Sequence, residues 1–220
     1  MNSVKYIIWD WNGTLVDDAW LFVELMNCLL KKRGLPLISL LDYQNTFCFP
    51  LENYYKKLGF NLAAEPYEIP SMEFINLYDE NKYRPLLYPY TIQLLKMVSS
   101  WGVKNYLLSA QNEESLLPLV SFYKLNGFFQ LIKGTDNFHA RGKEDIAGEM
   151  LNNLTAKNNE VLFIGDTNMD VRIAQRYNSN IIALAFGHQA KKRFPKKKIT
   201  LVENFKHLEN VLTLKLRGNQ

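Results

Sequence analysis

The stretch VKYIIWDWNGTLVD, residues 4–17, decides the architecture of this 220-residue chain. Its first part, residues 4–10, is a nearly continuous apolar run that ends at Asp10 and leads into a polar, glycine-containing turn. Runs of this kind are typical of parallel strands, which are buried on both faces of a sheet. We therefore expect a buried first strand with Asp10 at its carboxyl end.

Three further apolar runs follow the same pattern, at residues 103–110, 160–166 and 180–187. Helical patterns over residues 92–101, 143–154 and 168–177 lie between or after them. Strands that alternate with helices predict an α/β fold, here a Rossmann-like parallel sheet with helices on both faces. Pro118 lies inside another helical pattern, residues 113–125, which we expect to kink or to start late.

The segment from residue 16 to residue 86 lacks this alternation and is predicted to be mostly helical. Helices are expected over residues 18–33, 47–59 and 72–82, and Gly34 and Pro36 would stop the first of them. The predicted organisation is thus an α/β core of residues 1–15 and 87–220, into which a helical cap of residues 16–86 is inserted.

The composition is that of an ordinary globular protein, with 47% hydrophobic and 22% charged residues. A net charge of +4 does not by itself indicate a nucleic-acid partner. Cys28 and Cys48 lie outside any CxxC pair, which argues against a zinc site and fits a reducing compartment. The chain shows no signal peptide and no segment long enough to span a membrane, so we expect a soluble, cytoplasmic protein.

Polar residues end three of the apolar runs, where a parallel α/β sheet binds its ligands. Asp10 ends the first run, Ser109 lies at the end of the second, and Asp166 ends the third, with Asp170 four residues later. Lys143 begins a predicted helix between the last two of these runs. Carboxylates can hold Mg²⁺, while the metal and the lysine neutralise a phosphoryl group beside a nucleophilic aspartate.

The segments IIWDWNGTLVDD (residues 7–18) and GDTNMD (residues 165–170), with Ser109 and Lys143, resemble the four motifs of the haloacid dehalogenase superfamily in order and spacing. The helical insertion after the first motif resembles the C1-type cap of the phosphoglycolate phosphatase-like subfamily. This resemblance spans nearly the whole chain. It implies a magnesium-dependent phosphatase that hydrolyses a small phosphorylated metabolite through an aspartyl-phosphate intermediate.

The resemblance also implies a role for each matching position. Asp10 would be the nucleophile, and Asn12 and Lys143 would complete the catalytic set. The metal ligands would be Asp10, the backbone carbonyl of Asn12, and Asp166, which Asp170 supports. The residues that bind the phosphoryl group and its loop would be Ser109, Ala110, Lys143 and Thr14, and Gly13 would permit the tight turn.

The sequence departs from the motifs of most such phosphatases at Asn12, where they have an aspartate that acts as general acid and base. An amide can do neither, and such assistance is worth about 10²–10⁴ in rate. The substrate would then have a good leaving group, or another residue would supply the proton, or turnover would be slow. Lys143 also lacks the prolines that commonly follow this lysine, which leaves Lys133 as a rival phosphate ligand.

Two other functions stay open at this point. A haloacid dehalogenase would use the same aspartate without a metal, although the paired carboxylates Asp166 and Asp170 favour phosphate chemistry. A non-catalytic binding protein with the same fold would explain Asn12. No nucleic-acid or membrane partner is expected, and the sequence leaves the oligomeric state and the substrate undetermined.

The remaining predictions concern structure more than chemistry. Asp17 and Asp18 are expected to begin the first cap helix, and His188 is expected in a surface loop. The basic run at residues 191–198 is interpreted as a solvated loop, since it lacks aromatic residues for base stacking beyond one phenylalanine. The aromatic segment at residues 47–55 either lines the substrate pocket or packs the cap against the core.

Overall fold

The computed structural model describes residues 4–136, 142–154, 156–196 and 199–217. Its strands, in chain order, are β1 (Tyr6–Trp9), β2 (Val16–Asp17), β3 (Leu86–Leu87), β4 (Lys104–Asn112), β5 (Phe129–Thr135), β6 (Val161–Gly165), β7 (Asn180–Leu184) and β8 (Thr200–Val202). Six of them form one parallel sheet in the order β5-β4-β1-β6-β7-β8, which confirms the predicted fold class.

The helices of the described residues fall into two groups. Those between β2 and β3 are α1 (Ala19–Lys32), α2 (Leu40–Thr46), α3 (Leu51–Lys57) and α4 (Glu68–Asn81). Those that follow β3 are α5 (Thr91–Ser100), α6 (Glu113–Phe122), α7 (Lys143–Asn153), α8 (Asn168–Arg176) and α9 (Phe205–Arg217).

The central strand β1 explains why the sheet needs helices on both faces. Ile7 and Trp9 are buried in one apolar cluster, which includes residues of α5, α6 and α9. Ile8 is buried in a second cluster, with residues of α7 and α8. Successive side chains of a strand point to opposite faces, so a fully apolar strand is stable only between two packed layers.

The strand register brings the chemically active segments to one edge of the sheet. Trp9 of β1 is aligned with Leu107 of β4 on one side and with Ile164 of β6 on the other. The residues that follow these positions therefore emerge side by side, at the carboxyl ends of neighbouring parallel strands. This edge is where open α/β sheets bind ligands.

The helices between β2 and β3 pack mainly on one another. Their buried side chains form a separate aromatic-rich cluster that includes Tyr43, Tyr54 and Tyr55. The chain enters and leaves this group through β2 and β3, which pair in an antiparallel manner with Val16 opposite Leu87. We propose this strand pair as the junction between the predicted core and cap, since it coincides with the predicted boundaries.

The structure differs from the sequence-based expectations in several elements. Helix α2 was not expected; it begins at Ser39, whose hydroxyl accepts from the backbone N–H of Asp42 in a capping box. The helix predicted over residues 47–59 begins only at Leu51, after Pro50 at its N-cap. Strand β5, with the sequence FQLIKGT, was missed because it lies at a sheet edge and has no long continuous apolar run. Strand β8 and helix α9 lie in a segment without a predicted element.

Three further expectations from the sequence concern a proline, the cysteines and membrane-spanning helices. Pro118 lies within α6, which spans Glu113–Phe122. Cys28 and Cys48 are both free thiols. Within the described ranges, no helix has the length and apolar character needed to cross a lipid bilayer.

Candidate active site

A buried lysine lies at the centre of the site. The Nζ of Lys143 is 2.7 Å from Oδ1 of Asp10 and 2.6 Å from Oδ1 of Asp170. The side chain is 4% exposed, so these two ion pairs replace nearly all of its hydration. Burial alone lowers the pKa of Lys143, but the two carboxylates more than reverse this and hold the pKa above its ordinary value. The ammonium is therefore charged at physiological pH.

Three carboxylates surround this lysine. Asp10, Asp166 and Asp170 each place an oxygen within 4.8 Å of the others' oxygens. Burial raises the pKa of Asp10 to about 6 and that of Asp166 to about 8. Asp166 is therefore mostly protonated at neutral pH in the metal-free protein, because one ammonium cannot neutralise three ionised carboxylates at such close range. Hard oxygen ligands with uncompensated charge fit a divalent cation such as Mg²⁺.

Local structure fixes the positions of the two carboxylates after β6. Asp170 forms a capping box with Thr167 at the start of α8, accepting from the backbone N–H and the hydroxyl of Thr167. Asp166 accepts from the backbone N–H of His188 at 2.5 Å and from the hydroxyl of Thr14 at 3.3 Å. Thr14 is fully buried, so the structure places it behind Asp166 as a supporting residue of the loop.

Two glycines let the loops after β1 and β7 approach Asp166. Gly13 has a φ of +66°, and a Cβ there would overlap the Asp166 carboxylate and the His188 ring. A Cβ at Gly187 would overlap the same carboxylate and the carbonyl oxygen of Gly13. The tight turn predicted at Gly13 thus has two physical causes, a left-handed backbone and a close approach.

Asn12 belongs to a buried hydrogen-bond network that the sequence did not reveal. Its Nδ2 donates to Oδ2 of Asp18 at 2.5 Å and to the hydroxyl of Tyr78 at 3.3 Å. The other oxygen of Asp18 accepts from the backbone N–H of Gly13 and from Nε2 of His188, both at 2.9 Å. Asp18 was predicted only to begin the first cap helix. It is fully buried and is the acceptor at the centre of this network.

The prediction that His188 is a surface-loop residue is wrong. Its side chain is 4% exposed, and its Nδ1 lies 2.5 Å from the hydroxyl of Tyr43 in α2. Burial lowers the pKa of His188, but the Asp18 carboxylate raises it by more, so the net shift is upward. The signal was available, because His188 follows a buried strand and Gly187 just as Asp10 and Asp166 follow theirs.

The carboxyl-terminal part of β4 forms another wall of the site. Ser109 is 1% exposed, and its Oγ accepts from the backbone N–H of Gln111 at 3.0 Å. Ser109, Ala110 and Gln111 all line a cavity that Asp10, Asn12 and Lys143 also line. Both predicted phosphoryl-binding residues of this strand therefore face the space beside the lysine.

The cavity has a volume of about 170 Å³ and extends from the sheet edge into the helices between β2 and β3. Its lining there is mainly aromatic, including Phe22, Tyr43, Phe47, Tyr54, Tyr55 and Tyr78. Residues of the aromatic segment 47–55 thus line the cavity and pack within the cap cluster. Phe47 also contacts the α/β core, with its ring 5.7 Å from that of His188.

A family model described as haloacid dehalogenase-like hydrolase matches residues 7–184. The chain belongs to this family. Among curated haloacid dehalogenase-like relatives, the phosphoglycolate phosphatase of Aquifex aeolicus is 26% identical, covering 84% of this chain and 86% of its own length. That of Pseudomonas syringae pv. syringae is 26% identical, covering 84% of this chain and 70% of its own. The predicted resemblance is confirmed.

Solved structures of haloacid dehalogenase-like proteins share the fold. One from Bacteroides fragilis has a TM-score of 0.81 and 20% identity, and the match covers 94% of this chain and 100% of that one. One from Streptococcus pneumoniae has a TM-score of 0.76 and 19% identity, covering 96% and 100%. At these identities the likeness concerns the Rossmann-like fold alone.

The geometry of this haloacid dehalogenase-like chain distinguishes between Lys143 and Lys133, the two candidate phosphate ligands. Lys143 contacts Asp10 and lines the cavity. Lys133 lies on β5 and pairs with Glu113 at 3.4 Å, with its side chain 42% exposed. The arrangement favours Lys143 as the phosphate ligand, in keeping with the preference drawn from its place at a helix start.

The basic run was predicted to be a solvated loop. Residues 197 and 198 of this run lie outside the described ranges, so the prediction is compared with the structure for residues 191–196. Arg193 is not simply solvated, because its guanidinium donates to the carbonyl oxygens of Gln44 and Phe47. This haloacid dehalogenase-like chain thus links the segment after β7 to α2.

Replacing Asp166 with Asn should stabilise the metal-free protein. The raised pKa of Asp166 means that the folded state loses stability as the pH rises from about 4 to about 8, because over this range the carboxyl is ionised in the unfolded chain but still mostly protonated in the folded protein. We expect a gain of at least ~1 kcal/mol at pH 8, or about 2–4 °C in Tm for a chain of this size, and less at pH 5. Thermal unfolding with EDTA measures it.

The matched control is Asp145→Asn, which removes the same charge from an exposed position in the first turn of α7. It should change the Tm little at either pH. Adding Mg²⁺ should raise the Tm of the wild-type protein and of the control, because a ligand that binds only the folded state stabilises it. A metal-free Asp166→Asn protein with a Tm below wild type at pH 8 would contradict the charge argument.

Proposed function

We propose that this chain is a magnesium-dependent phosphatase that hydrolyses a small phosphorylated metabolite through an aspartyl phosphate on Asp10. One observation carries the proposal: a buried, charged Lys143 holds Asp10 at the floor of a cavity, beside Asp166 and Asp170. The curated relatives, which are phosphoglycolate phosphatases, support the reaction class. The expected cytoplasmic location and the absence of a nucleic-acid partner remain predictions.

Asp10 and Lys143 would share the first chemical step. An oxygen of Asp10 attacks phosphorus, the bond from phosphorus to the leaving-group oxygen breaks, and that oxygen keeps the bonding electrons. Lys143 would hold the carboxylate in place and compensate the charge of the phosphoryl oxygens, with Ser109 and the backbone beside Ala110 as further donors. Water then attacks the aspartyl phosphate, which releases inorganic phosphate and restores Asp10.

The metal would be held by Asp10, Asp166 and the backbone carbonyl of Asn12, with Asp170 as a supporting carboxylate. When bound, Mg²⁺ supplies positive charge that neutralises the phosphoryl oxygens next to an anionic nucleophile. The close grouping of three carboxylates, which one ammonium cannot neutralise when they are ionised, is what supports its presence. Without such a cation, the approach of a phosphate dianion to this cluster would be strongly repelled.

Because position 12 is Asn12, this active site would lack the usual general acid. Its amide has no proton to give to a leaving group, and its Nδ2 is engaged by Asp18. The leaving group would then depart with little help from this position. A haloacid dehalogenase gains no specific support, because the acidic cluster fits a metal that such a reaction does not need. A non-catalytic binding protein is the outcome to exclude by experiment.

The first test is the replacement of Asp10 with Asn. It removes the nucleophile and one ion-pair partner of Lys143, so phosphate release from a panel of phosphorylated metabolites should fall by on the order of 10⁴-fold or more. EDTA should abolish the wild-type activity, and Mg²⁺ should restore it. Asp145→Asn, with the same charge change on the surface, should behave as wild type. Activity that persists in Asp10→Asn would reject the proposed nucleophile.

The second test restores a carboxylate at position 12. Asn12→Asp alone would place two carboxylates in contact, so it is combined with Asp18→Asn, which reverses donor and acceptor and keeps the pair. Since general acid–base help is worth about 10²–10⁴, the double variant should hydrolyse alkyl phosphates at least ~10-fold faster than wild type. Steady-state kcat measures this, with Asp18→Asn alone as control. No gain in a folded double variant would mean that another group supplies the proton.

A further inference from the structure

The cavity above Asp10 has two chemically different ends. Its floor contains the charged residues of the sheet edge, whereas its upper part is formed by aromatic side chains of the helices between β2 and β3. Phe22 is central there, with its ring 5.3 Å from that of Phe74 and 5.5 Å from that of Tyr78. The phosphoryl group belongs at the floor, so the leaving group of the substrate must occupy the aromatic end.

In the described part of the chain, the aromatic end of the cavity offers no cation to a second anionic group. Among the described residues that line the cavity, the basic ones are Lys143 and His188. Lys143 is bound by Asp10 and Asp170, and His188 lies between Asp18 and Tyr43. A carboxylate on the leaving group would lose its hydration without gaining a cationic partner, which is costly in an apolar cavity.

Two polar groups of the cavity wall suit a neutral acceptor instead. The hydroxyl of Tyr54 and the Nε2 of Gln111 are buried without a hydrogen-bond partner in the described part of the chain. Tyr54 itself is 2% exposed. Buried donors of this kind normally have partners, so each can donate to an uncharged oxygen of a bound molecule.

The size of the cavity limits the leaving group. Its volume of about 170 Å³ is close to the roughly 150 Å³ of an engineered apolar cavity in another protein that binds benzene. The space is therefore of the size of about one ring, which the surrounding aromatic side chains can contact by edge and by face.

Asn12 gives an independent reason to expect a phenol as leaving group. Its amide cannot protonate the departing oxygen, and its Nδ2 is held by Asp18. A phenolic oxygen has a pKa near 10, as in tyrosine, whereas an aliphatic alkoxide is far more basic, nearer to hydroxide. A phenolate can therefore leave without a general acid, and an alkoxide leaves poorly.

We propose that the natural substrate class is aryl phosphates, monoesters of a small uncharged phenol; this rests on the phosphatase function proposed above. Asp10 attacks phosphorus, the bond between phosphorus and the aryl oxygen breaks, and the phenolate takes both electrons and then a proton from water. Water hydrolyses the aspartyl phosphate to inorganic phosphate. No oxidant or further co-reactant is required.

The test compares four substrates with Mg²⁺ present. Phenyl phosphate has the proposed leaving group. Butyl phosphate has an apolar leaving group that is much more basic, and the leaving group of phosphoglycolate carries an additional carboxylate. Acetyl phosphate has a small, good leaving group that needs no aromatic contact. We expect kcat/KM for phenyl phosphate to exceed those for butyl phosphate and phosphoglycolate by at least ~10-fold each.

A matched pair of variants separates the cavity from intrinsic reactivity. Ile75 of α4 lines the cavity and is half-buried, so Ile75→Lys places an ammonium there. Ile69 lies on the same helix, is 49% exposed and is not among the lining residues, so Ile69→Lys adds the same charge outside. Ile75→Lys should lower the phenyl phosphate to phosphoglycolate ratio of kcat/KM by ~10-fold. Ile69→Lys should leave that ratio unchanged.

The outcomes distinguish the two proposals. Hydrolysis of acetyl phosphate that depends on Asp10, combined with poor hydrolysis of phenyl phosphate, would overturn the aryl substrate and leave the phosphatase standing. Equal rates on butyl and phenyl phosphate, or a preference for phosphoglycolate, would overturn it as well. So would a folded Ile75→Lys variant whose substrate ratio does not change. No phosphate release that depends on Asp10 from any of the four would overturn the phosphatase itself.

Discussion

The ammonium of Lys143, buried between Asp10 and Asp170, is the constraint on which the rest of the site depends. A charge removed from water needs partners of fixed geometry, and these come from the end of β1 and the start of α8. The end of β1 and the starts of α7 and α8 are thus joined by one ion-pair centre. One lysine cannot neutralise all the surrounding carboxylates when they are ionised, which suits the divalent cation and the phosphate proposed for this centre.

A second hydrogen-bond network, centred on the Asp18 carboxylate, joins this centre to the helices between β2 and β3. Asp18 accepts from Asn12, Gly13 and His188, and His188 reaches Tyr43 of α2. The amide of Asn12, at the position where the resemblance implies an acid in most such phosphatases, is therefore held by a buried acceptor. Such a site favours leaving groups that depart unaided, and the aromatic cavity beside it favours apolar ones.

The sequence predicted what depends on strongly buried, local patterns. The continuous apolar runs around Ile7 and Leu162 have few alternatives to buried parallel strands, and their ends located Asp10 and Asp166. Strand β5 was missed because an edge strand needs only one apolar face. His188 and Asp18 were misjudged because their burial depends on a contact between distant segments. The hydrophobic periodicity of a sequence describes local segments and does not reveal a contact between distant ones.

The same contact has a consequence for how the protein is made. Asp18 and His188 are separated by 170 positions along the chain, and the segment with His188 comes after the fifth of the six strands of the sheet. Closing so long a loop has an entropic cost that only late, cooperative packing can offset. A nascent chain would therefore emerge with its nucleophile loop hydrated and incomplete. The complete loop would form only after the segment with His188 has been synthesised.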